Sequence, residues 1–563
     1  MYFMEKSFLG VASSRRCGKW PGVILFVFLL MATVRISNAM ELHRDDDLVI
    51  RWDNTLKYSA GYRVANQKNS LIDDPNFDDG DRNFDGFTSN RFDILSEMDV
   101  MYKNFGFRVS GSGWVDSMYL SDNDNNSPAT YNGVDDHDEF DDAAETMHGL
   151  NAELLDSFVF GKFKMGKMPV KFRLGRHTLV WGETLFFGAN GIAYAQAPLD
   201  FVKALGVPGS QFKEIMMPVN QASGQIQLSD KISFEGYWQF EWRRTRVPAA
   251  GSYFANADFG GPGGRKLLLD RNPPDGSGIH FARGDDMGGG DWESEFGEPD
   301  HSQFGVALKY RVEALDTDFG FYFIRYNEKM PYWAYIEPYA VPVMGAHGLE
   351  AGKYCIVFPK KIKMVGASFG TQIGEFNVSG EVTTRFDAPL LADPSKMVIP
   401  PGMSFDNDDH PLYPTGDTFH ANLSTIYLMK GSKLWDGGTI MAEVGYTDLL
   451  GSADDPYDTF DESRKDWALG LRMILEPAYY QVMPGLDLRV PIGCGYSPEG
   501  RSPGDLSFNM GGAHEGGDFS IGVNLDYLYV WKASLKYTNY FGSANHQGLA
   551  DRDFISLSLQ RTF

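Results

Sequence analysis

Residues 48–64 read LVIRWDNTLKYSAGYRV, and they alternate with a period of two. Leu48, Ile50, Trp52, Leu56, Tyr58, Ala60, Tyr62 and Val64 share one face, interrupted only by Asn54. Arg51, Asp53, Thr55, Lys57, Ser59 and Arg63 share the other. Successive side chains of a strand point to opposite faces, so the stretch reads as one long strand. Residues 232–243 repeat the pattern: Ile232, Phe234, Gly236, Trp238, Phe240 and Trp242 alternate with Ser233, Glu235, Tyr237, Gln239, Glu241 and Arg243. Residues 376–387 do so again, with Phe376, Val378, Val382 and Phe386 against Asn377, Ser379, Glu381, Thr383, Arg385 and Asp387. A soluble sandwich alternates too. Here the apolar face is crowded with aromatic rings and the polar face carries charges of both signs. That combination suits a lipid-facing exterior and a wet, hydrogen-bonded interior.

Counting outward from these three stretches gives eighteen candidate strands, near 48–64, 91–102, 105–118, 150–163, 170–181, 219–229, 232–245, 302–312, 318–328, 362–373, 376–387, 418–429, 439–448, 467–477, 486–496, 518–528, 531–541 and 552–563. Most match the ~9–11 residues a tilted strand needs to cross a bilayer, or slightly exceed them. The connections alternate as well. Asn104, Asp230-Lys231, Gly374-Glu375 and Tyr529-Val530 sit in very short turns, with long loops such as 65–90, 119–149, 246–301 and 329–361 between them. Short turns at one rim and long loops at the other mark a single-chain transmembrane antiparallel β-barrel with long extracellular loops, an all-β fold. Closure has a physical cause, because lipid cannot satisfy an open sheet edge. Ile555, Leu557, Leu559 and the terminal Phe563 share a face of the last strand, which resembles the signal read by barrel-assembly machinery; Arg561 departs from it.

Composition agrees. The chain has 563 residues, 41 Phe, 27 Tyr and 11 Trp, so it can bury a great deal of surface and is not disordered. Its formal charge of −24 argues against nucleic acid as a partner. Val23–Val34 is a single apolar run, too short for a helical span. Basic Lys6, Arg15, Arg16 and Lys19 precede it and Ser37-Asn38-Ala39 follows, so residues 1–39 read as a cleaved signal peptide and 40–563 as the barrel. A bacterial outer-membrane location is expected, with outer-membrane lipid and lipopolysaccharide around the wall. Cys355 and Cys494 could pair or stay free.

The acids concentrate in loops: loop 119–149 holds nine acids and no Lys or Arg. A solvated loop is the plain reading. The sharper one is calcium. Asp81-Arg82-Asn83-Phe84-Asp85-Gly86 resembles the first half of a calcium loop, but the twelfth position is Phe92 instead of Glu, which excludes an EF-hand. A looser site for Ca2+ on Asp79, Asp81, Asn83 and Asp85 is the one metal or cofactor expectation.

At Trp181-Gly182-Glu183-Thr184-Leu185-Phe186-Phe187, Asn190-Gly191-Ile192 and Pro198-Leu199-Asp200, the chain resembles the proteobacterial outer-membrane proteins catalogued as domain of unknown function 1302 (DUF1302). The likeness continues at Val207-Pro208-Gly209, Glu235–Trp242, Gln303–Ala307, Ser379-Gly380-Glu381 and Asp551–Phe554. It implies an outer-membrane barrel. Its relatives are often encoded near periplasmic lipoprotein-like proteins, inner-membrane permeases and genes for degrading hydrophobic compounds, so the likeness also implies passage of small hydrophobic molecules or lipids and such proteins as partners.

An eighteen-stranded barrel is wide enough for water. The segment most suited to narrow it is 182–218, which is far more apolar than the acidic loops and lies between an outgoing and a returning strand. Asp200 can cap a short helix at Phe201–Leu205 that Gly206 and Pro208 would stop. Folded inward, Trp181, Glu183, Phe186, Phe187, Ile192, Tyr194, Phe201 and Leu205 would border the path; the alternative is a lid on the rim. Arg173, His177, Glu235, Glu241, Arg243, Glu381 and Arg385 are read as lumen-facing, either bracing the wall by ion pairs or tuning selectivity. No spacing singles out a catalytic triad, so the reading is a channel or transporter and not an enzyme. The competing readings are a surface-interaction barrel of adhesin type and the outer component of a partner-coupled export system.

Overall fold

The computed structural model describes residues 40–563, apart from 211, 270–277, 290–293, 298–300, 346, 408–409 and 505–512. The signal peptide read at 1–39 lies outside the described residues.

Eighteen staves form one closed antiparallel barrel. In chain order they are β1 (Leu48–Arg63), β2 (Phe87–Tyr102), β3 (Phe105–Asp116), β4 (Leu150–Met165), β5 (Met168–His177), β6 (Val219–Gln227), β7 (Ile232–Gln239), β8 (Phe304–Val312) and β9 (Thr317–Tyr326). There follow β10 (Ile362–Ile373), β11 (Phe376–Pro389), β12 (Thr415–Met429), β13 (Gly437–Asp454), β14 (Trp467–Met483), β15 (Leu486–Arg489 and Ile492–Glu499), β16 (Gly516–Tyr527), β17 (Trp531–Phe541) and β18 (Phe554–Thr562). Each pairs with the next, and β18 returns to β1 with Thr562 opposite Thr55 and Phe554 opposite Arg63. The Asn54 and Phe563 backbones exchange hydrogen bonds of 2.8 and 2.9 Å at that seam. The strand Met40–Arg44 extends β1 at the short-turn rim. β15 is broken into Leu486–Arg489 and Ile492–Glu499. Pro491 has no N–H for the ladder, so the break falls where pairing is lost anyway.

The alternation read at residues 48–64 is the alternation of the wall. Lys57, Ser59 and Arg63 are buried inward, whereas Trp52 and Tyr62 are exposed outward. The short rim turns are tight: Leu528 and Tyr529 both have positive φ, as a two-residue hairpin turn demands. Arg561, the residue that departs from the terminal pattern, lies buried with its guanidinium 5.0 Å from the Trp531 ring. An aromatic face accepts the cation where an apolar neighbour would otherwise sit.

Three expectations are corrected. β7 ends at Gln239, short of 245, because the following backbone bonds elsewhere: Arg244 N to Glu295 O, Thr245 N to Lys329 O and Arg246 N to Leu199 O. Glu241 and Arg243 therefore sit on a loop beyond the stave. β13 runs to Asp454, into what reads as loop. The long loops also hold a second, four-stranded sheet: Trp333–Gly345 pairs antiparallel with Gly348–Val357, which pairs parallel with His280–Arg283, itself antiparallel to Lys266–Leu268. Cys355, on that sheet, and Cys494, on β15, are unpaired.

Candidate functional site

The chain between β5 and β6 is held from opposite sides of the strand ring. It begins with Trp181, 2% exposed, whose indole N–H donates to Glu235 Oε2 at 2.9 Å. The ring packs against Tyr237 and Tyr322 at centroid distances of 5.1 and 5.7 Å. Ile192, Ile324, Ile362 and Met364 complete this cluster inside the wall of β7–β10. β9 is thus apolar on both faces: Phe321 and Phe323 point out, while Tyr322, Ile324 and Tyr326 point in.

Two carboxylates of the wall bind the segment's backbone. Glu381 on β11 accepts from Glu183 N at 2.7 Å, Thr184 Oγ1 at 2.5 Å and Ile192 N at 2.9 Å. Glu443 on β13 accepts from Leu185 N at 3.2 Å, Phe187 N at 2.9 Å and also Phe186 N. Charge-assisted bonds of this kind are about twice as strong as neutral ones. A side chain on Gly182 or Gly191 would collide with the Glu381 carboxylate, and Gly182 also has φ of +94°. Asn190 is buried and donates to Asn422 Oδ1 at 2.8 Å and Tyr446 O at 3.0 Å, while its own Oδ1 lies 2.8 Å from His420 Nδ1. Arg385 donates to Ala189 O at 2.7 Å and lies over the Tyr194 ring at 4.8 Å.

The returning half binds the other side. Asp200 caps the helix Phe201–Gly206 by accepting from Lys203 N at 2.9 Å. Lys203 pairs with Glu153 of β4 at 2.7 Å. Arg246 meets Glu153 at 2.7 Å, Asp200 at 2.6 Å and Glu295 at 2.5 Å, and Arg243 meets Glu295 at 2.5 Å. Such buried ions persist only when fully paired. Further on, Glu214 lies 3.5 Å from Lys57 of β1.

Of the path residues read from the sequence, Trp181, Phe187 and Ile192 are buried, Phe186, Tyr194, Phe201 and Leu205 are half-buried, and Glu183 is exposed. Of the lumen-facing set, Arg173 stacks on Phe158 at 5.7 Å. His177 bonds Ser223 through Nε2 at 2.8 Å, and Glu241 pairs with Arg176 at 3.2 Å. His148 accepts from Ala249 N and His420 bonds Thr418 and Asn190, so these two histidines, like His177, have structural partners. Beside Trp181, a hollow of about 490 Å3 is bordered by Phe158, Phe160, Arg108, Lys171 and Arg173. Sequence reasoning passed over Glu153, Lys203, Arg246 and Asn422, which carry much of the anchoring.

The four calcium candidates take separate partners. Asp79 accepts from Asn132 N at 2.9 Å, Asp81 pairs with Arg63 at 2.5 Å, Asn83 donates to Gly251 O at 2.8 Å, and Asp85 is exposed. Among the described residues no group of three or more His, Cys, Asp or Glu converges as a metal site. Burial, reinforced by neighbouring carboxylates, instead raises Asp79 well above the usual range and pushes Asp258 up to about 7. The folded loop layer therefore binds more protons than the unfolded loops between about pH 4 and 7. The contribution of these two groups to its stability is full below the ordinary aspartate range, falls as pH rises above it and is lost by about 7. Hydrogen exchange of 78–83 and 130–132, corrected for intrinsic rate, is expected to be about tenfold slower at pH 5 than at pH 8. Equal protection at both would refute this.

Fold and site together define a closed β-barrel with a polar-faced inner wall and an inward-folded segment tied to it. The family model described as "Protein of unknown function (DUF1302)" matches residues 20–563, and the chain belongs to that family. No curated protein matches it. Among solved structures, it is similar to OccAB1 of Acinetobacter baumannii, at 8% identity over 93% of this chain and 98% of that one, with a TM-score of 0.44. OccAB4 of the same organism gives 11%, 92%, 99% and 0.39, and OccK8 (OprE) of Pseudomonas aeruginosa gives 9%, 91%, 98% and 0.39.

Proposed function

We propose that the protein is an outer-membrane channel for small, hydrophobic molecules or lipids, with residues 182–218 as its constriction. One observation carries this: the segment is bonded to β11–β13 on one side and to β1 and β4 on the other. A bare eighteen-stranded barrel would leave a wide aqueous bore, and a segment so placed narrows it. The aromatic-lined hollow beside Trp181 supports an apolar solute, with Arg108, Lys171 and Arg173 at its border. The long loops face outward in this reading, and periplasmic lipoprotein-like partners or an inner-membrane permease would meet the short-turn rim. The surface-interaction reading has one observation in its favour, the loop sheet whose hairpin tip leaves Val341 and Met344 71% and 79% exposed. Uptake into liposomes separates the two. A channel admits small apolar solutes above the rate of protein-free liposomes, whereas an interaction barrel leaves that rate unchanged.

A further inference from the structure

The outer wall of β8–β11 changes character two residues above its apolar band. Paired residues line up across these staves: Leu308, Phe321, Ala367 and Val382 form one row, and Val306, Phe323, Val365 and Thr384 the next. Phe321, Val365 and Val382 of these rows are among the exposed apolar side chains of the wall. The following row, toward the long-loop rim, is Phe304, Arg325, Lys363 and Phe386. Two residues of strand are ~7 Å, so two cations sit one step above the hydrocarbon-facing surface, flanked by phenylalanines.

This row opens into a hollow of about 830 Å3, bordered also by Lys360 and Lys361. The four bases face two acids, Asp387 and Asp454, in a chain whose formal charge is −24. Lys363 pairs with Asp387 at 3.0 Å at an exposed position. The Nε–H of Arg325 is shut off from water and has no hydrogen-bond acceptor among the described residues. Phe304, level with the charges, packs at 6.0 Å on Phe323 one row below. The hollow thus offers cations beside an aromatic shelf, on the face of the staves that exposed Phe321, Phe323 and Val365 share.

We infer that this hollow binds the phosphorylated headgroup of a glycolipid of the outer leaflet, with its phosphate on Arg325, Lys360 and Lys363 and its acyl chains along Phe304 and Phe323. The inference rests on the reading of the barrel as membrane-spanning with its long loops outward, but not on whether the lumen conducts. An anion in the plane of the headgroups gains from each nearby base, and the aromatic shelf continues the apolar band, so one amphiphile satisfies both parts.

The test titrates the detergent-folded protein with diphosphorylated lipid A, with the same lipid dephosphorylated, and with inorganic phosphate. The combined variant Arg325→Gln, Lys360→Gln, Lys363→Gln is expected to bind the diphosphorylated lipid more weakly by on the order of a hundredfold. Lys164→Gln with Lys167→Gln, exposed at the opposite rim, should bind as the parent does. The dephosphorylated lipid should bind the parent as weakly as the phosphorylated one binds the wall variant. Equal binding by parent and wall variant overturns the inference, as does equal binding of both lipids. Inorganic phosphate competing as well as the lipid would make the hollow a free-anion site, which also overturns it. Heat-modified migration of each variant reports the folded barrel, and conductance of the same samples reports separately on the channel.

Discussion

Replacing Glu381 and Glu443 together by alanine is expected to release the inward segment while leaving the barrel closed. Each carboxylate accepts three donors from residues 183–192, five of the six being backbone N–H groups. A buried donor left without an acceptor costs about 1–3 kcal/mol, so a loss on the order of 5 kcal/mol is expected once the non-additivity of neighbours is allowed for. The staves do not depend on these bonds, because their ladders run between β10, β11, β12, β13 and β14. A cysteine at Ala193, with Cys355 and Cys494 replaced by serine, reads the outcome. Maleimide should label it at least about tenfold faster in the double variant, as expected when a local opening equilibrium shifts by several kcal/mol. Glu381→Gln with Glu443→Gln keeps the shape and loses the charge, so it should fall between. Unchanged labelling in the alanine variant would mean that the apolar cluster around Trp181 and Ile192 suffices to hold the segment.

The staves were legible because each wall position has one of two environments. A period of two with aromatics on one side records that directly, as at residues 48–64. The short-turn rim was legible for the same reason, since tight turns interrupt the pattern at single points such as Asn104 and Gly374-Glu375. The loop sheet was not. Its hairpin carries Pro338 and Pro342, which read as loop punctuation. Its other strands, Lys266–Leu268 and His280–Arg283, are too short for periodicity to register. The anchors of the segment were only half visible. Glu381 and Glu443 stand on polar faces among many charges, and nothing in the alternation says which of them meets a backbone N–H. Glu153, Lys203 and Arg246 are far apart in the chain, and only the fold brings them together. One signal was available and unused: TDFGFYFIRY at 317–326 is apolar on both faces, which a stave beside an open aqueous lumen would not be.

The ion cluster around Arg246 and the two carboxylates divide the anchoring between them. The first fixes the returning half to β4, the second fixes the outgoing half to β11 and β13. A loop that merely covered the rim would not engage acids well inside staves, as Glu381 and Glu443 are; Glu153 lies nearer the long-loop end of β4.

Single-channel recording in a planar bilayer, parent against a chain lacking residues 185–205, tests the constriction most directly. The deletion removes the residues bonded to Glu443, Ala189 and Asn190 with their bonds to Arg385 and Asn422, and most of the helix Phe201–Gly206. What remains is an eighteen-stranded wall, whose bore should pass ions freely, so conductance is predicted to rise on the order of tenfold. Heat-modified migration must show the same closed barrel in both proteins. An unchanged conductance in a correctly folded deletion would contradict the account, because the segment would then not be what limits the path.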